Sequence, residues 1–240
     1  MKFDETLDIE RAMVIYAHPD DAEFGSSGTV AKWAKAGVEV TYVMVTNGGS
    51  GSSDPAMTRD KLSEIRRAEQ EAAARLLGVA RVEFLGFEDG YLNVDDDSRR
   101  AVARQIRRYR PDVIISLDPT LRYTQGYVNH PDHIATGEIV MRAINPDAST
   151  RLMFPELAGD EGLEPHKPKM LLLMNWGAEP DYVEDVTDTL ETKIQALGLH
   201  VSQIGDGFDY ATFVRERAAE TGSKRGFAAG EGFKVVRFQE

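Results

Sequence analysis

The chain has 240 residues, of which 42% are hydrophobic, so it can bury a sizeable core. Its formal net charge of -12 argues against nucleic acid or an anionic membrane as the main partner. It has no cysteine, which excludes disulfides and thiolate chemistry and leaves only nitrogen and oxygen to hold a metal. The N-terminal stretch lacks the apolar core of a signal peptide, and no apolar run approaches membrane-spanning length. We therefore expect cytoplasmic residence and no membrane span.

Strands and helices alternate through most of the chain. Apolar runs rich in β-branched residues predict strands, and apolar residues spaced three or four apart predict helices. Because helices connect the successive strands, we predict an α/β fold, Rossmann-like, with a mostly parallel, doubly wound sheet and helices on both faces, in one domain over 1–240. The predicted strands are 12–17, 38–45, 81–87, 112–117, 170–174, 182–186 and 233–238, and the predicted helices are 25–36, 58–77, 98–109, 133–144, 189–199 and 210–220.

Three segments between and within these elements are informative. The Gly/Ser-rich segment 50–55 follows a strand end and is either a plain linker or a mobile wall of a site. The Pro-rich segment 145–169 reads as a long loop or lid. In the helix 58–77, charged residues are expected to form a solvated face. The residues expected to face the core there are Leu62, Ile65, Ala68, Ala72 and Leu76.

The loop after the first strand carries His18, Asp20 and Asp21 in the sequence AHPDDAE at 17–23. Loops at the carboxyl ends of parallel strands are where α/β proteins bind ligands. A dinucleotide site would need a glycine-rich turn there, so that phosphate could approach the helix amides. An imidazole with two carboxylates repels phosphate and attracts a cation. This loop therefore predicts a metal site.

A second cluster, NHPDH at 129–133, follows the predicted strand 112–117. The chain has five histidines, and three of them lie in these two loops. His18, Asp21 and His133 would give two imidazoles and one carboxylate, a set that suits catalytic zinc with a position left for water. The same set also suits ferrous iron. Zinc bound there would lower the pKa of its water and polarise a carbonyl.

Three further residues of the two loops have candidate roles in catalysis. Asp20 adjoins the ligands, and as a free carboxylate it could take the proton of the attacking water. In its protonated form, His130 could stabilise an oxyanion or hand a proton to a leaving amine. Asp132 could orient His130 by accepting its other N–H.

Together the two clusters resemble the paired signature of the PIG-L/LmbE-like N-deacetylases. The resemblance implies a zinc-dependent hydrolase that removes acetyl from an N-acetylglucosamine-type sugar or sugar conjugate. It also implies an acetamido-sugar partner and, by analogy, an oligomer of identical chains. Other segments that look familial extend over nearly the whole chain, at 66–69, 72–78, 84–86, 110–113, 154–157, 200–203 and 230–233.

Residue by residue, the resemblance implies one Zn²⁺ per chain, with Fe²⁺ as the alternative. The implied ligands are His18, Asp21 and His133. Asp20 matches the general base and His130 the oxyanion-stabilising residue. Two softer matches, Arg66 and Asp89, fall where family members contact the sugar. Tyr127 lies one place out of the register of a family tyrosine.

Two other functions stay open at this point. The same metal site could cleave a different small amide, such as that of a cysteinyl-sugar conjugate. Alternatively, the chain could be a catalytically silent binding protein on the same scaffold. Asp20 counts against the silent alternative, because no structural reason places a second carboxylate beside a ligand. For His200, at a predicted helix end, a structural or inter-subunit role is expected.

Overall fold

The computed structural model describes residues 1–4, 7–205 and 207–238. Seven of its strands form one sheet, and they are β3 (Arg11–Tyr16), β4 (Glu39–Thr46), β5 (Arg81–Phe87), β6 (Val113–Leu117), β9 (Met170–Met174), β10 (Tyr182–Asp185) and β11 (Gly230–Arg237). Their order across the sheet is β10-β11-β9-β6-β3-β4-β5. The neighbours from β9 to β5 are parallel, whereas β11 runs antiparallel to both β9 and β10.

Helices cover both faces of this sheet. Because successive side chains of a strand point to opposite faces, a strand that is buried on both sides contributes side chains to two hydrophobic cores. The helices are α1 (Asp21–Gly25), α2 (Ser27–Lys35), α3 (Arg59–Leu77), α4 (Asp96–Tyr109), α5 (Pro131–Arg142), α6 (Pro155–Gly159), α7 (Leu190–Leu197), α8 (Val201–Ile204) and α9 (Tyr210–Ser223). In β3, Val14 belongs to the core that includes residues of α2, α3 and α7, while Ile15 belongs to the core that includes residues of α4 and α5. The predicted doubly wound α/β fold is confirmed.

Several short elements were not predicted. Two small hairpins, β1 (Lys2–Asp4) with β2 (Leu7–Asp8) and β7 (Tyr123–Thr124) with β8 (Tyr127–Val128), lie outside the main sheet. The Pro-rich segment 145–169 holds an irregular helical turn and α6, so it is not a plain loop. The predicted helix 25–36 is divided at Ser26 into α1 and α2. None of the described helices has both the length and the apolar character needed to cross a membrane.

The buried face of α3 differs from the predicted apolar stripe. Leu76 is 43% exposed, and Ala68 is exposed as well. Arg66 and Gln70, both polar, are buried instead. Apolar spacing alone finds the face of a helix that meets an apolar core, whereas the middle of α3 faces the polar carboxyl edge of the sheet. The expectation that its charges are solvated was therefore wrong for Arg66.

The helix that follows the first loop is held by the C-terminal strand. Glu231 of β11 accepts hydrogen bonds from the backbone N–H groups of Gly28 (2.9 Å) and Thr29 (2.7 Å), in the first turn of α2. Lys193 of α7 donates to the same carboxylate at 2.6 Å. A carboxylate at these free amides is favourable, because helix N-terminal N–H groups lack intrahelical partners and carry partial positive charge.

Candidate metal centre

The first loop puts its polar residues at the carboxyl end of β3. His18 follows the strand by two residues, and α1 begins at Asp21. Between them, Asp20 has φ 97° and ψ −28°, in the left-handed region that residues other than glycine seldom adopt. This backbone turns the chain from strand to helix in a few residues, so that three polar side chains gather at one end of β3.

The second loop belongs to β6, which pairs with β3 in parallel. Pro131 opens α5, where its fixed φ suits the first helical position. His130 caps this helix, since its Nδ1 accepts a hydrogen bond from the backbone N–H of Asp132 at 3.2 Å. His133 lies one turn further along. Because adjacent parallel strands end at the same edge, the two loops face each other.

The predicted ligand atoms lie together. The Nδ1 of His18 is 3.2 Å from the Nε2 of His133. Asp21 places Oδ1 at 3.2 Å from that Nε2 and Oδ2 at 3.5 Å from the Nδ1 of His18. Three ligands arranged tetrahedrally around one zinc ion, each about 2.1 Å from it, are themselves about 3.4 Å apart. The donor set and its spacing therefore fit one divalent cation.

The other ring nitrogen of His18 faces a second pair of carboxylates. Its Nε2 is 3.1 Å from Asp89 Oδ1 and 3.3 Å from Asp132 Oδ2. Burial disfavours a protonated His18, but hydrogen bonds to Asp132, Asp21 and Asp89 raise its pKa well above the usual value. The cluster thus has an excess of negative charge that attracts a cation. An imidazole that donates one N–H to a carboxylate and offers its other nitrogen is the arrangement common among metal-binding histidines.

Asp132 does not take the position that its predicted role requires. Its carboxylate is fully buried and accepts hydrogen bonds from the backbone N–H groups of Gly90 (2.7 Å) and Leu92 (3.3 Å) as well as facing His18. Burial raises the pKa of Asp132, but His18 and the Gly90 amide outweigh this and lower it. The carboxylate therefore orients His18, and it is the backbone N–H of Asp132 that orients His130.

That backbone contact determines the proton position on His130. Because Nδ1 accepts a hydrogen bond, the neutral ring carries its proton on Nε2. Burial and the neighbouring His18 lower the pKa of His130, which favours this neutral form. His130 is half-buried. It is thus arranged as a neutral N–H donor rather than as an imidazolium.

Asp20 is a carboxylate with a raised proton affinity. Burial raises the pKa of Asp20 to about 7, and Asp21 adds to the rise, while the nearby Arg66 opposes it. The Nη2 of Arg66 is 3.3 Å from Asp20 Oδ2 and donates to the carbonyl of Pro19 at 2.5 Å. A group that titrates near neutral pH exchanges protons readily with water.

The two predicted sugar contacts, Arg66 and Asp89, are both turned inward. Arg66 is 4% exposed and also donates to the carbonyl of Gly48 at 2.9 Å. Gly48 has φ 66°, and a Cβ there would lie 2.9 Å from the guanidinium, so this approach requires glycine. Asp89 is 3% exposed, with Oδ2 on the backbone N–H of Ser50 at 2.8 Å. Burial raises its pKa, but His18 and the Ser50 amide lower it to about 2.

The remaining residues singled out by sequence have contacts of their own. Tyr127 is 41% exposed, and its hydroxyl donates to Asn129 Oδ1 at 3.0 Å. His200 is fully buried, with Nε2 at 3.2 Å from Glu23 Oε2. Burial disfavours its protonated form, but Glu23 raises the pKa of His200. The sequence did not indicate that Glu23 is the buried partner of His200, although Glu23 lies inside the first motif.

The family model described as GlcNAc-PI de-N-acetylase (PIG-L) matches residues 13–144, more than half of the chain. The chain belongs to the PIG-L family. The match begins in β3 and ends just beyond α5, so it includes both metal-site loops. The resemblance predicted from the two motifs is confirmed.

PIG-L relatives with described functions extend the comparison to most of the chain. Diacetylchitobiose deacetylase from Thermococcus kodakarensis is 28% identical over 231 residues, which cover 95% of this chain and 84% of that protein. A 1D-myo-inositol 2-acetamido-2-deoxy-alpha-D-glucopyranoside deacetylase from Saccharopolyspora erythraea is 33% identical, and the match covers 85% of this chain and 88% of that protein. The structure of N,N'-diacetylchitobiose deacetylase from Pyrococcus horikoshii with its inhibitor MPG aligns with a TM-score of 0.89 and 32% sequence identity. The alignment covers 98% of this chain and 88% of that chain.

Proposed function

We propose that the chain is a metal-dependent N-deacetylase that hydrolyses the acetamido group of an N-acetylglucosamine-type sugar or sugar conjugate. The observation that carries this proposal is a compact His18–Asp21–His133 donor set next to a buried carboxylate, Asp20, whose pKa is about 7. The relatives' substrates, an acetylated chitobiose and an acetamido-glucopyranoside, support the sugar class.

His18, Asp21 and His133 would hold the cation, and we propose Zn²⁺, with Fe²⁺ as the alternative that the same donors accept. When bound, the cation supplies Lewis acidity toward the acetyl carbonyl and makes water a better nucleophile. Asp89 and Asp132 orient the His18 ring through its Nε2. An oligomer of identical chains and a cytoplasmic location stay predictions from the sequence.

The chain's own residues supply the proton transfers of amide hydrolysis. Asp20 takes a proton as water adds to the carbonyl carbon, and its raised pKa lets it return that proton to the departing amine. His130 donates its Nε2–H to the oxygen that becomes negative when the tetrahedral centre forms. The carbon–nitrogen bond then breaks, so that one acetamide and one water molecule give one acetate and one free amino sugar.

Acetate release tests the proposed function directly. Protein carrying one zinc ion per chain is expected to release acetate and a primary amine from N-acetylglucosamine or N,N'-diacetylchitobiose, and a chelator should abolish the release. Iron-loaded protein in parallel distinguishes the two metals. If the metal-loaded protein cleaves a cysteinyl-sugar amide but no acetamide, the conjugate amidase is correct. If it cleaves neither, the deacetylase proposal is wrong.

His130→Ala tests the oxyanion contact, because alanine has no N–H donor in its side chain. The change is expected to lower kcat about 100-fold, with the metal content unchanged, because a neutral N–H donor aimed at the developing charge acts mainly in the transition state. Steady-state kinetics and elemental analysis of the same preparation check this. A kcat equal to that of the wild type would remove His130 from the mechanism.

A further inference from the structure

A chain of buried polar side chains joins Asp20 to His200. The backbone N–H of Asp20 donates to Gln70 Oε1 at 3.0 Å, and Gln70 Nε2 donates to Glu23 Oε1 at 3.0 Å. The other oxygen of Glu23 lies 3.2 Å from His200 Nε2. Gln70, Glu23 and His200 are each 0% exposed. Four residues from three separate parts of the sequence thus form one line of contacts that ends at the proposed base.

The end of this line is a residue whose backbone needs support. A non-glycine residue in the left-handed region is strained and persists only where its surroundings hold it. Asp20 has φ 97°, and α3 contacts it twice. Gln70 binds its backbone N–H, and Arg66, one helical turn earlier, pairs with its carboxylate at 3.3 Å. Together the two contacts define both the backbone and the carboxylate position.

Each link of the network determines the orientation of the next. The N–H of Asp20 can only donate, so Gln70 must present its oxygen there and its NH₂ to Glu23. Glu23 then has one oxygen left, which faces His200. The segment with His200 is itself attached to α3, because Glu69 accepts from the N–H (2.8 Å) and hydroxyl (2.7 Å) of Ser202.

We infer that Gln70, Glu23 and His200 are positioning residues that hold Asp20 in its left-handed conformation, with the carboxylate set for proton transfer. This inference rests on the proposed function, because it assigns the network to the orientation of the proposed base. The three side chains touch neither the proposed ligand atoms nor solvent, so they act through Asp20. The alternative is a buried polar cluster that contributes only to stability.

Gln70→Met separates these two possibilities. It keeps the length of the side chain but removes the acceptor for Asp20 and the donor to Glu23. We expect kcat to fall about 10- to 100-fold, since small misplacements of a reacting group have effects of this size, while KM and metal content stay at wild-type values. Gln105→Met is the matched control, because Gln105 is also buried in a helix, the second half of α4. It should leave kcat unchanged.

Two substitutions at His200 test the other end of the network and decide the matter if Gln70→Met does not fold. Gln can place its Nε2–H near the position of the imidazole Nε2, so His200→Gln should keep kcat within about threefold. His200→Leu has no polar atom to face Glu23, so its kcat should match that of Gln70→Met. Wild-type kcat in folded Gln70→Met or His200→Leu, or an equal loss in Gln105→Met, would overturn the inference.

Hydrogen exchange makes this test independent of the substrate. Backbone amides in the peptide 18–24 of the metal-loaded protein should exchange faster in Gln70→Met than in wild type or Gln105→Met, because Asp20 loses the acceptor of its N–H. If the wild type proves inactive on every acetamide, the proposed function fails while this measurement still reports on the network. Unchanged exchange in Gln70→Met would show that the network does not hold Asp20.

Discussion

Asp20→Asn is expected to lower kcat by about 10²- to 10⁴-fold, the usual contribution of a positioned general base, with one metal ion per chain retained. Asparagine is nearly isosteric with aspartate and tolerates the left-handed region, so the backbone at φ 97° is preserved. It cannot accept the proton of the attacking water at neutral pH. Acetate release and elemental analysis on one preparation measure both quantities.

The control for this change is Asp112→Asn. Asp112 is buried and accepts hydrogen bonds from the backbone N–H groups of Glu10 and Arg11, at the start of β3 and therefore at the opposite end of that strand from the site. We expect the kcat of Asp112→Asn to stay near that of the wild type. An Asp20→Asn protein with full activity would show that another group is the base, and one without metal would make Asp20 a ligand.

His133→Ala is expected to weaken metal binding by at least about 100-fold, and activity should fall with it. The site offers three ligand atoms, and changes even in the residues that merely orient metal ligands cost 10- to 100-fold in affinity. Metal content per chain, measured after purification without added metal and again after incubation with zinc, checks this result.

His166→Ala is the matched control for that change. His166 is partly buried outside the site, with Nε2 at 2.8 Å from the carbonyl of Pro111. Its removal should leave metal content at about one per chain. Stoichiometric metal in folded His133→Ala would remove His133 from the ligand set, and equal losses in both variants would indicate a general effect on folding.

The two metal loops and the alternation of strands and helices could be predicted because they are local patterns. His18 and the cluster that contains His133 each come after an apolar strand, and the carboxyl ends of parallel strands lie at the same edge of a sheet. The position of β11 between β9 and β10 could not be predicted in this way, since its pairing depends on contacts between residues such as Val235 and Leu172 that are distant in sequence.

The residues that support the site were harder to predict, because a polar side chain is buried only where the fold supplies hydrogen-bond partners for it. Arg66 and Gln70 are one helical turn apart in α3, but a search for regularly spaced apolar residues does not detect a pair of polar residues. Their hydrogen-bond partners, Pro19, Asp20 and Glu23, lie 47 to 50 residues earlier in the chain, so only the folded chain shows the pairing. The inward-facing carboxylate of Asp132 depends likewise on the amides of Gly90 and Leu92.

The contact between Glu231 and the first turn of α2 has a consequence for how the protein is made. A ribosome completes both metal-site loops by residue 133, while the carboxylate that binds the amides of Gly28 and Thr29 is added almost a hundred residues later. A nascent chain that already contains every proposed ligand therefore still lacks the group that anchors the helix behind the first loop. We therefore expect the first loop to reach its final conformation only after the last strand has joined the sheet.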